Sequence, residues 1–438
     1  MTGPIIRLEL PQNATTPLLC TLERPAAQPG ESTLALLDCT LEDPTLVELD
    51  SGLPEKVGPA GDLLWAALHS NASVGTALDA MLQVAGAPLY MRVGSGRTEQ
   101  FPWEVLRAPG KGFLALDRWP IARLTNDAVV GDAPFDFDPP LRMLVVLAAA
   151  TIKAQGEWEA IKEAIATPKV PVELQVLVAE PALKAIVEAD IGPDRVAFTQ
   201  DRRFLESKAK EFRPHLFHLF CHGRPPRGGG GPTVELATVE SWDGAAGENI
   251  ILEPRDLHSW LGNTCITTLC ACQGGGAGEG ANSFAFLLAG RGMPAVVAMR
   301  RPIASTDANA FTRAHYSVLL AAMQAAVDGD PLDLATTSVD ARGAISDNYG
   351  RPRGEIAEVH AEWSHPVIYL RAERLRFEVA PGSGARPLAT LTETEVTRLR
   401  SRLETLRNAR RQLPTDMPAD VFQKIDEEVL AVTKQLYG

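Results

Sequence analysis

The sequence predicts an α/β protein built on a mostly parallel sheet flanked by helices on both faces. Two observations predict it. Between residues 141 and 373, continuous apolar runs of five to ten residues alternate with stretches of helical period, the pattern of βαβ units. Those runs are apolar without polar alternation, as strands buried on both faces require. Right-handed crossovers then put helices on both faces of the sheet.

The elements follow in order. Residues 1–139 contain the short apolar runs "IIRLEL", "LALLDC" and "PLYMRV", with the helical stretch "GDLLWAALHSNASVGTALDAML" before the last of them. These form a small α+β subdomain. The proline-rich "GDAPFDFDPP" is read as a linker that ends at Pro140. The domain at 140–379 then opens with the buried strand "LRMLVVLAAA". Helix "EWEAIKEAIA", strand "VELQVLVAE", helix "PALKAIVEAD" and helix "DRRFLESKAKEF" come next, then strand "HLFHLFCHG". After an interruption come strand "CITTLCAC", helix "NSFAFLLAGRG", strand "AVVAMR", a long helix from Asp307, and the closing strand "HPVIYLRAE". The interruption holds "RPPRGGGGP", whose four glycines favour a mobile loop, and a β-hairpin from "TVELATVES" and "ENIILE" around "WDGAAG".

Past the linker "APGSGARP", residues 388–438 read as a helical hairpin. Its first helix opens with a capping box, Thr392 to Glu395, and its second has Pro418 in the first turn. An apolar seam on each helix suits docking on the sheet domain, on a second copy or on a partner. The arginines at 398–411 are diluted by Glu393, Glu395 and Glu404 and read as a solvated face.

Composition narrows the function. Of 438 residues, 45% are hydrophobic and 22% charged, an ordinary globular balance. The net charge of −13 argues against nucleic acid or an anionic membrane as the main partner. No apolar run is long enough to span a bilayer, and the N-terminus lacks a signal-peptide pattern. A cytoplasmic location with reduced cysteines is therefore expected.

In an open parallel sheet, function collects outside the carboxyl ends of the strands. One strand ends at Cys221-His222-Gly223 and another at Cys272-Gln273-Gly274. An imidazole beside a thiol takes its proton, stabilises the thiolate and later protonates a leaving amine. Backbone N–H groups of Gly223 and Cys272 are placed to hold an oxyanion. Positions 218 and 222 share one side of their strand, but only 222 reaches the loop beyond its carboxyl end. His218 is read as core or as a support behind the site. Cys270 shares parity with Cys272 and is expected just beneath it.

The motif Ala271-Cys272-Gln273-Gly274, with a His-Gly about 50 residues upstream, matches four of five caspase signature positions. More closely, residues 100–375 resemble the CHAT family of caspase-like peptidases. The resemblance rests on "HLFHLFCHG", "ITTLCAC", "AGRGMPAVVAMRRPI", the upstream "PWEVLRAPGKGFLALDRWPIAR" and "HPVIYLRAE". It implies a caspase-like fold and a cysteine endopeptidase with a His222–Cys272 dyad, acting on a protein or peptide substrate without metal or organic cofactor. It also implies a regulated bacterial effector, of defence or cell-death type, with a regulatory protein partner or self-association through the C-terminal helices. This chain departs from the family where Cys270 replaces the usual serine, where an aromatic near Arg301 is absent, and where "AST" precedes Asp307.

The substrate pocket has several readings. Related peptidases that cleave after basic residues carry an acid near Asp307, and Glu279 is an alternative. Thr306 and Asp307 are equally good helix caps. Arg300 and Arg301 would instead favour an acidic P1 residue.

Other functions fit less well. A catalytically silent scaffold would have no need for both His222 and Cys272. A zinc site drawn from Cys265, Cys270, Cys272 and His222 lacks any Cys-x-x-Cys pair and mixes strand parities. A nucleotide-binding α/β protein would use "GGGAGEG", yet Glu279 stands where the fingerprint needs its third glycine.

Overall fold

A computed structural model describes most of residues 3–379. It leaves out 10–18, 25–33, 37–41, 126–134, 167–169, 225–230, 272–282, 328–331, 372–376 and a few single positions, and covers only scattered residues beyond 379. Its central feature is one long mixed sheet. In chain order the elements used below are β1 (Ile5–Glu9), β2 (Leu19–Arg24), β3 (Leu34–Leu36), α1 (Val57–His69), α2 (Ala72–Leu82), β4 (Leu89–Val93), β5 (Ile121–Thr125), β6 (Leu141–Leu147), α3 (Gln155–Ala166), β7 (Val172–Val178), α4 (Pro181–Ile191), β8 (Val196–Phe198), α5 (Arg202–Phe212) and β9 (Leu216–Arg224). They continue with β10 (Thr233–Leu236), β11 (Ile250–Leu252), α6 (Pro254–Trp260), β12 (Ile266–Ala271), α7 (Phe284–Gly290), β13 (Ala295–Met299), α8 (Ser305–Val327), α9 (Thr337–Asp347) and β14 (Pro366–Leu370).

The strand order is β8-β7-β6-β9-β12-β13-β14-β5-β4-β1-β2-β3. The strands from β8 to β13 are mutually parallel. β14 runs antiparallel to β13 and reverses the direction. β14, β5, β4 and β1 are then parallel to one another, and β2 and β3 finish as antiparallel edge strands. The sheet thus has two parallel blocks of opposite sense, with their carboxyl ends on opposite edges.

The sheet is continuous across residue 140. The runs read as a separate N-terminal subdomain extend the same sheet, because β14 offers its second edge to β5, with Tyr369 opposite Arg123. The linker around residues 131–140 also holds a short strand, Phe135–Phe137, paired in parallel with Phe377–Val379. Its alternating phenylalanines suit a strand despite the flanking prolines. The C-terminal hairpin, 388–438, lies outside the described residues apart from scattered positions, two of which, Arg402 and Glu428, form an ion pair.

Local chemistry explains the ends. Asn71 caps α2 by accepting from the N–H groups of Ser73 and Val74, at 3.1 and 3.2 Å. Asp201 caps α5 through Phe204 N at 2.8 Å. In β9, alternate residues of both parities are buried: His218 and Phe220 on one face, Leu219 and Cys221 on the other. Both faces of the block are therefore covered, as the unbroken apolar run required. The interruption does form a hairpin, with β10 antiparallel to both β9 and β11.

Candidate active site

The parallel block around β9 and β12 presents its carboxyl edge where these two neighbouring strands end. Their register pairs His218 with Thr268, Phe220 with Cys270, and Cys221 with Ala271. His222 follows at the edge of β9, half-buried. Cys272 lies outside the described residues, as does Glu279; Ala271, the residue before Cys272, closes β12 beside Cys221.

One ring nitrogen of His222 is committed. Nε2 lies 2.8 Å from the carbonyl oxygen of Ala150. A carbonyl only accepts, so Nε2 carries the proton, and the neutral ring keeps its lone pair on Nδ1. That is the tautomer a general base needs. The carbonyl is itself held in place. Ala148 N donates to Phe220 O at 2.8 Å, Ala237 N donates to Ala148 O at 2.7 Å, and Thr151 N donates to Trp242 O at 2.9 Å. Thr151 takes φ of 61°, a left-handed conformation uncommon for a β-branched residue. The chain accepts this strain at the turn that aims Ala150.

Glu235 completes the surroundings. It stands directly across the β9–β10 ladder from His222, where side chains share a face. Its carboxylate accepts from Arg224 Nε and from Asn249 Nδ2, the latter at 2.6 Å. Burial pushes this carboxyl up. The hydrogen bonds from Arg224 and Asn249 and the positive charge of Arg224 outweigh that and hold it below the usual carboxylate range. This acidic side chain stands beside the ring, on the same face of the ladder.

Gly223, the expected oxyanion donor, is half-buried on β9 opposite Val234. Asp307 sits in the first turn of α8 and is 3% exposed. Its carboxylate already accepts from Asn348 Nδ2 at 3.0 Å and from the Tyr349 hydroxyl at 2.7 Å. Arg300 and Arg301 turn to Asp50, at 3.6 and 2.7 Å, and Arg300 also donates to Gln100 O. Each described candidate for the pocket charge is thus engaged within the chain.

Behind the edge the polar content is larger than the sequence suggested. His218, read as core or support, and Cys270, expected beneath Cys272, share the His222 face of the sheet. α3 and α8 bring Glu157, Thr312 and Tyr316 onto them. Glu157 Oε1 lies 3.1 Å from His218 Nε2 and accepts from Thr312 Oγ1 at 2.6 Å. His218 Nδ1 lies 2.9 Å from the Tyr316 hydroxyl, and Cys270 Sγ lies 3.5 Å from Thr312 Oγ1. Cys265 belongs elsewhere: its thiol donates to His215 O at the opposite end of β12, and burial pushes it up.

A second cluster anchors Ser283, where the described chain resumes. Ser283, the N-cap of α7, donates its N–H to Glu99 Oε2 at 3.0 Å and its hydroxyl to Glu99 Oε1. Tyr369 of β14 donates to the same Glu99 oxygen at 2.6 Å. Beside it, Arg123 makes a bidentate pair with Glu104, at 2.9 and 2.6 Å, with both side chains fully buried. Sequence reasoning missed Ala150, Glu235, Glu157 and Glu99. Only Glu235 left a signal, as the mid-strand acid in a hairpin adjoining Cys221-His222-Gly223.

Comparison with known proteins agrees with the motif reading. The CHAT domain family model matches residues 76–341. No curated protein matches the sequence. Two solved structures of the Saccharomyces cerevisiae separase–securin complex are similar in fold, at 12% and 13% identity and TM-scores of 0.37 and 0.39. They cover 70% and 76% of this chain, which spans only 17% and 21% of theirs.

Proposed function

The chain belongs to the CHAT domain family, and from that premise we propose that it is a cysteine endopeptidase working through His222 and Cys272. The observation that carries the reading is the hydrogen bond from His222 Nε2 to the Ala150 carbonyl, which leaves Nδ1 as the base at the carboxyl edge. Cys272 is the next residue after Ala271, and Ala271 pairs with the residue before His222.

The chemistry follows in balanced steps. His222 Nδ1 takes the Cys272 thiol proton. The thiolate attacks the scissile carbonyl carbon, and the electron pair moves onto its oxygen. Backbone N–H groups of Gly223 and Cys272 hold that oxyanion, a contribution worth about 10²–10³ in rate per donor in acyl-transfer enzymes. The imidazolium, with Glu235 opposite, then protonates the departing amine. Water, deprotonated by His222, releases the acyl group and restores the thiol.

A protein or peptide is the substrate, and a regulatory protein partner or self-association acts through residues 388–438. The effector role rests on the family resemblance. None of the described helices is long and apolar enough to cross a membrane. For P1, the candidates remain Asp307 and Glu279 for a basic residue, and Arg300 or Arg301 for an acidic one.

Labelling with acyloxymethyl ketones carrying P1 Arg or P1 Asp tests the reading on wild type, Cys272→Ala and His222→Ala. Covalent labelling of wild type that both substitutions abolish is expected. Labelling that survives Cys272→Ala would overturn it. The preferred probe identifies the pocket charge.

A further inference from the structure

We propose that Glu157, His218 and Cys270 form a buried, closed metal site of the kind zinc occupies, beneath the carboxyl edge that carries His222. The proposal goes beyond the proteolytic reading and does not depend on it.

The geometry supplies the first argument. One ligand atom from each of the three side chains lies within 4.8 Å of the other two. A tetrahedral ion with bonds of about 2.0–2.3 Å spaces its ligand atoms roughly 3.3–3.7 Å apart. Glu157 Oε1 and His218 Nε2 are 3.1 Å apart, close to that value before any ion spreads them. Imidazole, thiolate and carboxylate form a mixed N/S/O set that suits zinc. Thr312 Oγ1, 2.6 Å from Glu157 and 3.5 Å from Cys270, adjoins the three ligand groups.

The hydrogen bonds supply the second. A ligating histidine generally ties its other ring nitrogen to an oxygen, which fixes the tautomer. His218 does this with Nδ1 and the Tyr316 hydroxyl at 2.9 Å. His218 Nε2, although 3.1 Å from Glu157 Oε1, makes no well-formed hydrogen bond among the described residues, and neither does Glu157 Oε2, although both residues are buried. Buried polar atoms left this way are costly unless something binds them.

Charge supplies the third. Glu157 is 1% exposed, and among the described residues it pairs with His218 and with no lysine or arginine. A divalent ion, one carboxylate, one thiolate and a neutral imidazole sum to zero, which suits a site without solvent. A bound ion would deprotonate the Cys270 thiol, with the proton leaving to solvent. The closed site would tie α3 and α8 to β9 and β12, and so brace the strands that deliver His222 and Ala271.

The test uses the full chain, grown with zinc and purified without chelator. Metal content is read by mass spectrometry, and metal-stripped protein is titrated with Co²⁺ to look for thiolate-to-cobalt charge transfer. Wild type and Cys272→Ala are expected to hold about one zinc per chain and to give the charge-transfer band. Cys270→Ser and His218→Gln are expected to fall below roughly a tenth of an equivalent. Wild type with under a tenth of an equivalent and no cobalt band overturns the proposal, and leaves a proton shared between Glu157 and His218. Metal that survives Cys270→Ser but is lost in Cys272→Ala also overturns it. Should the core variants fail to fold, the wild-type and Cys272→Ala measurements still decide.

Discussion

Two buried carboxylate clusters flank the candidate site, and they resolve their charge differently. In the block led by β14 and β5, Glu104 is matched by a bidentate guanidinium from Arg123. Arg123 also donates to the backbone oxygens of Glu99 and Phe101, so each of its three nitrogens is engaged. Burial pushes the Glu104 carboxyl up, but the Arg123 charge and hydrogen bonds outweigh it and hold it below the usual range. In the block of β9 and β12, Glu157 meets an imidazole, a hydroxyl and a thiol. The first cluster is closed by residues of the chain. The second closes only with a proton or a cation. A fixed guanidinium suits a cluster whose work is to join β5 to β14. An adaptable set of donors suits the floor of a reactive edge.

The contrast is most sharply broken at Arg123. Arg123→Met removes the paired cation and leaves Glu104 buried without its bidentate partner, which should cost about 3–5 kcal/mol. Denaturant unfolding of the full chain checks this, and a loss below 1 kcal/mol would mean that the cluster is not closed in the way described. Thr312→Val makes the corresponding change in the second cluster. It removes the donor to Glu157 and should cost about 1–3 kcal/mol, with lowered metal content if the ion is present. Equal losses in the two variants would erase the comparison.

The smallest expected effect lies beside His222, where Glu235 stands between the two cases. Its carboxyl is held below the ordinary range by Arg224 and Asn249 against burial. The folded state therefore binds its proton less readily than the unfolded chain. That contribution is fully present above an unfolded pKa of about 4.3 and is lost as pH falls through the lower folded value. Wild type should thus lose more stability than Glu235→Gln as pH drops from about 5 to about 3, by less than roughly 1 kcal/mol. Parallel acid-unfolding curves for the two proteins would remove Glu235 from the account of His222.

Much of this architecture was legible in the residues themselves. The runs "LRMLVVLAAA", "HLFHLFCHG" and "CITTLCAC" are strands because a segment buried on both faces must be apolar throughout. The hairpin after β9 and the long helix after β13 are local patterns of turn residues and period. The face shared by His218, Phe220 and His222 follows from the two-residue repeat of a strand. His222, Gly223 and Cys272 stood out because strand ends in a parallel sheet are read from contiguous sequence.

The rest was not local. That the first 125 residues extend the same sheet depends on which edge β14 offers to β5, and no short window contains that choice. The Ala150 carbonyl that sets the His222 tautomer is a backbone atom of an alanine, invisible to any reading by residue type. Glu235 reaches His222 by ladder register, and Glu157 reaches His218 and Cys270 because α3 and α8 are laid on one face of β9 and β12. The sequence by itself determined which segments are strands and helices and where reactive side chains leave the sheet, since period and turn chemistry act between near neighbours. Only the tertiary structure decided what surrounds those side chains, because hydrogen bonds and charge compensation join residues that the chain holds far apart.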